Sequence, residues 1–171
     1  SIMQPKSGEK AKILGQTEEN ARISLNRKIS DLVKNQAILQ QFTEKFKLPI
    51  IPKIIEVYDN SHIQGSFAIG AMVVAGSEGF DKKEYRLFTI KEQPPNIGGG
   101  DDYAMLREVL TRRLSRLKNE PYRSPDLMII DGGIGHMNIV KQILEKFSLN
   151  IPFVCMSKGV DRNSGREQFH R

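Results

Sequence analysis

The chain has 171 residues, 39% of them apolar, enough for a core of ordinary domain size and too many for general disorder. Lys and Arg number 26 against 20 Asp and Glu, a net charge of +6 that favours an anionic partner, with nucleic acid first in line. No apolar run reaches membrane-spanning length and no signal peptide is visible; the single cysteine, Cys155, lies in an apolar run and cannot form an internal disulfide, so a cytoplasmic monomer is expected.

Residues 1–15 are polar and contain Pro5, Gly8 and Gly15, which reads as an extended arm, and the start at Ser1 reads as a fragment. Thr17 to about Phe46 has neither Pro nor Gly. Thr17 with Glu18 and Glu19 suits a helix start, where carboxylates meet the positive end of the dipole. Leu25, Ile29, Leu32, Val33, Leu39, Phe42 and Phe46 recur at helical spacing, so one long amphipathic helix is expected, with a candidate break near Asn35 and an end at Leu48-Pro49. Three strands follow, Ile54 to Asp59, Phe67 to Ala75 and Glu84 to Ile90, joined by short turns as an antiparallel meander. Pro94-Pro95 and Gly98-Gly99-Gly100 mark a loop. The next helix opens at Asp101 or Asp102 and runs to about Lys118, with Leu106, Val109, Leu110, Leu114 and Leu117 on its apolar face and Arg107, Arg112, Arg113 and Arg116 as its basic residues. A strand from Leu127 to Asp131, a glycine turn at 132–135, a helix from about His136 to Phe147 and a strand from Ile151 to Met156 complete the series. Antiparallel strands followed by strands with crossover helices give an α/β fold: a mixed five-stranded sheet flanked by helices and preceded by a long N-terminal helix. Residues 1–52 form the arm and helix, and 53–171 the main domain.

Two of the apolar strands end in aspartate, Asp59 and Asp131. The carboxyl ends of strands face the functional crevice in α/β sheets, and strands one and four of this order can be central neighbours. Paired carboxylates repel unless a cation or a shared proton lies between them. Asp101 suits a helix cap, which leaves Asp102 to project toward the sheet as a third carboxylate. Three such groups suit Mg²⁺ or Mn²⁺, which take oxygen ligands, keep several waters and support phosphodiester cleavage. Each aspartate taken singly also fits a turn former.

The segments Asp59-Asn60-Ser61-His62-Ile63-Gln64-Gly65, Gly100-Asp101-Asp102-Tyr103-Ala104-Met105, Val109-Leu110-Thr111-Arg112-Arg113, Pro125-Asp126-Leu127-Met128-Ile129-Ile130-Asp131-Gly132-Gly133 and Ser157-Lys158-Gly159-Val160-Asp161-Arg162 closely resemble UvrC, the bacterial excision-repair nuclease subunit. The resemblance runs from about Pro5 to the end. It implies an RNase H-like fold from about Ile54 and the site that makes the incision 5′ to a DNA lesion, with Asp59, Asp102 and Asp131 as catalytic residues holding Mg²⁺ or Mn²⁺. It also implies damaged double-stranded DNA and the damage-loading helicase subunit UvrB as partners. The family's downstream histidine, in an R-D-E-x-H segment, has no counterpart here. His170 follows Arg166-Glu167-Gln168-Phe169, which resembles the earlier G-x-E-x-F stretch, and it receives no catalytic role. The tandem helix-hairpin-helix and N-terminal nuclease domains of the family are not matched either, so this piece alone is expected to be poorly active.

His62 is read first as a partly buried histidine in the turn after the strand, packing under the site, and alternatively as a group orienting Asp59 or touching a phosphate, since imidazole is a poor Mg²⁺ ligand. Lys158 and Arg162, beyond the last strand, and Arg112 and Arg113, on the helix, are candidate DNA-phosphate contacts, with at least one of the two helix arginines facing away. The rival to a nuclease is a catalytically silent nucleic-acid-binding or scaffolding module with the same fold. A phosphate-binding enzyme using the turn at 132–135 is disfavoured, because neither phosphate-loop nor dinucleotide fingerprints are present.

Overall fold

A computed structural model of the chain describes residues 7–63, 67–91, 102–157 and 168–170, and of His62, Ile63 and Phe67 the backbone alone. The loop around Pro94 to Gly100, Asp101, Lys158 and Arg162 lie outside the described residues.

The N-terminal helix, α1, spans Glu9–Lys45, about 55 Å at 1.5 Å per residue. It starts eight residues before the expected Thr17 and is unbroken at Asn35. Gly15 is carried inside it, a cost of about 1 kcal/mol that a helix of this length absorbs. The Thr17 hydroxyl donates to the Ile13 carbonyl at 2.9 Å, one turn back, and so belongs to the helix interior and not to its cap. After Lys45 the chain turns through Lys47, at φ 47°, before Pro49.

The strands are β1 (Ile55–Ile63), β2 (Phe67–Gly76), β3 (Gly79–Phe80), β4 (Arg86–Thr89), β5 (Leu127–Asp131), β6 (Phe153–Ser157) and β7 (Gln168–His170). The helices are α2 (Asp102–Leu117) and α3 (Ile134–Phe147). The sheet therefore has seven strands where five were expected. The additions are the two-residue β3, paired with the end of β2 across the turn at residues 77–78, and the three-residue β7 on the far edge, both too short to show a period in the sequence. The spatial order is β3-β2-β1-β5-β6-β7, with β4 also on β2. β1, β2 and β4 form the expected antiparallel meander, and β1, β5 and β6 are parallel. Strands one and four of the sequence reading are thus central neighbours.

β1 does not stop at Asp59. Its pairing with the long β2 continues to Ile63 opposite Phe67, because β2 offers partners well beyond the point where β5 turns away at Gly132. Side chains alternate across the sheet. Tyr58, Met128 and Ile130 face the main core, packed under Leu106, Val109, Leu110 and Leu114 of α2 and Val140 and Ile143 of α3. Ile55, Val57, Leu127 and Ile129 face the other way, against Leu39, Phe42 and Phe46 at the end of α1. No residue of α1 is fully buried, and Leu39 and Phe42 near its end are partly buried.

Candidate active site

The last residue pair shared by β1 and β5 is Tyr58 with Ile130. One step further along each strand come Asp59 and Asp131. In a parallel ladder, residues in register project to the same face, so the two carboxylates stand side by side on the side of Val57 and Ile129. Both are exposed. β5 ends at once, because Gly132 and Gly133 turn the chain into α3. Gly132 is required there: a Cβ at this position would overlap the His136 ring.

Asp102 is the first residue of α2 and is exposed. Its helix packs on the opposite face of the sheet, and its start is fastened to the Asp131 turn by its neighbour. The Tyr103 ring lies 4.8 Å from the His136 ring, and a Cβ on Gly135 would overlap the Tyr103 hydroxyl. The helix mouth and the end of β5 are thus brought together by Tyr103, His136, Gly132 and Gly135. The sequence reading weighed the turn at 132–135 as a phosphate loop and gave Tyr103 and His136 no site role, although the glycine run after Asp131 was the available signal.

Among the described residues no three His, Cys, Asp or Glu side chains stand close enough together to hold a metal ion. The aspartates line one edge of the molecule from both faces of the sheet without closing into a ligand set. Their chemistry nevertheless fits a hard divalent cation: three exposed carboxylates, with no thiol or imidazole among them. Beside Asp59, the buried Oδ1 of Asn60 has no hydrogen-bond partner among the described residues and lies against Gly70 of β2.

The basic residues divide. Arg113 is only 8% exposed and turns inward. Its Nε and Nη2 donate to Glu56 Oε1 at 2.9 and 2.6 Å, and Nη2 also donates to the Arg123 carbonyl at 2.8 Å. This removes Arg113 from the surface expected to meet phosphates. Of the two candidates on the helix Arg112 is the one left partly open: it donates to the Thr89 carbonyl at 2.8 Å and to Glu108 at 3.0 Å, with its guanidinium 5.3 Å from the Phe88 ring. Of His62 the backbone alone is described, paired with Ala68 on β2. His170 reaches Ser157 at 3.0 Å from the edge strand β7.

The buried carboxylate of Glu56 is 1% exposed and receives the Tyr58 hydroxyl on its other oxygen. Burial, and then the Glu56 charge and hydrogen bond, push the Tyr58 hydroxyl well above its ordinary range, against a smaller opposing pull from Arg113. A charged residue inside the apolar run Ile54-Ile55-Glu56-Val57 was legible as an anomaly, and the sequence reading passed over it.

A mixed sheet opened by an antiparallel meander, continued by parallel strands and crossover helices, with carboxylates one step past the last residue pair of its two central strands, defines an RNase H-like domain. The chain belongs to the family described as the UvrC RNase H endonuclease domain, whose model matches residues 43–171. The UvrABC system protein C of Rickettsia typhi and that of Rickettsia prowazekii are each 55% identical to it over 179 residues, covering 99% of this chain. The chain spans 29% of the length of these relatives. Among solved structures, human ENDOV overlaps 81% of this chain and 63% of its own at 17% identity and a TM-score of 0.46. Ciona intestinalis endonuclease V, in complex with a DNA containing an inosine, overlaps 64% of this chain and 47% of its own at 16% identity and a TM-score of 0.45. The overlaps are partial, and family membership rests on the match of the family model to residues 43–171.

Proposed function

We propose that this chain is the endonuclease domain that makes the 5′ incision at DNA lesions in bacterial nucleotide excision repair, in a cytoplasmic assembly with UvrB. The observation that carries the reading is the β1–β5 register, which sets Asp59 and Asp131 side by side at the carboxyl edge of the sheet while Tyr103 holds the Asp102 end of α2 against the turn after Asp131. Asp59, Asp102 and Asp131 would hold Mg²⁺ or Mn²⁺. A divalent cation there supplies the Lewis acidity that phosphodiester cleavage needs. The chain's own contribution is to fix the direction of the carboxylates from rigid strand and helix ends and to bind the flanking phosphates. Arg112, Lys158 and Arg162 are the cations we assign to those phosphates, where contacts position the duplex and carry no sequence information. Selection of damaged DNA falls to partners and to the remainder of the protein, and residues 1–171 alone are expected to nick poorly.

The test is Asp131→Asn in the full-length protein, assayed on a lesion-bearing duplex loaded with UvrB. Incision on the 5′ side should be lost while binding to the DNA complex persists. Unchanged 5′ incision would refute the reading and favour the silent scaffolding module.

A further inference from the structure

The Glu56–Arg113–Tyr58 cluster joins the three segments that carry the aspartates. Glu56 and Tyr58 lie on β1; Glu56 is three residues before Asp59, about 10 Å along the strand. Arg113 lies on α2, eleven residues after Asp102, about 16 Å along the helix. The second acceptor of Arg113, the Arg123 carbonyl, belongs to the 3-10 turn at Pro121–Arg123 that leads into β5 and Asp131. Apolar contacts between a helix and a sheet are non-directional and tolerate sliding. A guanidinium fork bonded to one carboxylate oxygen and one carbonyl, with a phenol on the second carboxylate oxygen, fixes position along both axes. The cluster is the only buried polar or charged pair among the described residues; the other polar contacts of α2 with the sheet side, Arg112 to the Thr89 carbonyl and Glu108 to the Lys91 amide, lie on its exposed flank.

We infer that Glu56, Arg113 and Tyr58 are positioning residues for the acidic edge: they set the register of α2 against β1 and of the β5 approach against both, and so determine whether Asp102 can meet Asp59 and Asp131 over one cation. The inference rests on the metal-site reading proposed above. It assigns these groups no contact with DNA or cation; they act through the backbone elements they lock. A buried ion pair replaced as a whole by apolar side chains usually leaves a fold as stable or more so, while its directional information disappears. That separates positioning from mere stability.

The test compares Mn²⁺ binding, followed by the electron paramagnetic resonance of free Mn²⁺, and thermal unfolding in four forms of the chain: unsubstituted, Asp59→Asn, the double variant Glu56→Leu with Arg113→Met, and Tyr58→Phe. The unsubstituted chain should bind Mn²⁺ and Asp59→Asn should not. The double variant should unfold no earlier than the unsubstituted chain yet bind Mn²⁺ about 10-fold or more weakly, the size of loss that follows removal of groups orienting metal ligands. Tyr58→Phe, which keeps the ring and the fold, should weaken binding several-fold, and it decides the matter if the double variant does not fold. Undiminished Mn²⁺ affinity in a folded double variant, or in Tyr58→Phe, overturns the inference and leaves the metal reading standing. Mn²⁺ binding indifferent to Asp59→Asn overturns the metal reading and the inference with it.

Discussion

Truncating Arg113 alone should cost far more than truncating its neighbour on the same helix. In the folded chain the Arg113 side chain is 10% exposed and the Glu56 side chain 2%. Arg113→Ala removes three donated hydrogen bonds and leaves the Glu56 carboxylate buried with the hydrogen bond from the Tyr58 hydroxyl. Breaking a buried pair by deleting one member costs about 3–5 kcal/mol, because the surviving charge keeps its desolvation penalty without its counterion. At about 2–4 °C per kcal/mol for a chain of this size, the Tm should fall by roughly 6–20 °C. Arg112 pairs with Glu108 at 3.0 Å, but its side chain is 35% exposed, so water screens the pair and Arg112→Ala should cost about 1 kcal/mol or less. Urea unfolding followed by circular dichroism gives both values on one scale. An Arg113→Ala chain within 1 kcal/mol of the unsubstituted protein would refute the buried-pair reading.

The remaining predictions concern the core around this cluster. Burial pushes the Cys155 thiol up to about 11, with Lys141 pulling weakly the other way. The folded value exceeds that of the unfolded chain, so the neutral thiol's contribution is complete below about pH 8.5–9 and is lost as the pH rises toward 11. Stability measured by urea titration should fall across that window, and Cys155→Ala should flatten the fall; an identical slope in the variant counts against the assignment. Gly70 on β2 has no room for a side chain, since a Cβ would overlap Val109 Cγ2 and lie 3.0 Å from Asn60 Oδ1. Gly70→Ala should destabilise by about 1–3 kcal/mol. Adding Val109→Ala should return part of that loss, and strict additivity of the two changes in denaturant unfolding would show that they do not meet.

The layout of the sheet was legible because its signals are local. The runs Leu127 to Asp131 and Phe67 to Ala75 are apolar and β-branched, the glycines bound them, and the alternation of strand and helix after Pro125 dictates parallel pairing. The seven-strand count was not legible. β3 and β7 are held by two and three ladder pairs, and pairing of that length depends on what lies beside a segment and not on its composition. The extension of α1 back to Glu9 was hidden by Gly15, whose weak local penalty is outvoted by the helix on either side. Which of Arg112 and Arg113 faces away was hidden for a related reason. At a charged position on an amphipathic helix the sequence shows the charge, and the partner that draws it inward, Glu56, lies 57 residues away on another element.

Of the candidate site, the placing of Asp59 and Asp131 on neighbouring central strands was legible in the sequence, and the approach of Asp102 was not. Asp59 and Asp131 share a face by register, the face of Val57, Ile129 and the end of α1. Asp102 arrives from α2, which covers the opposite face. Carboxylates on opposite faces of a sheet cannot meet across its thickness; they can meet only beyond the ends of the strands, where no backbone separates them. Convergence on one cation therefore depends on how far α2 advances past the end of β5. Tyr103 against His136 fixes that advance at the edge, and the Glu56–Arg113 pair fixes it from within the core. A displacement of α2 by a single residue would carry Asp102 about 1.5 Å along the helix axis and about 100° around it, enough to turn a shared ligand into a surface carboxylate.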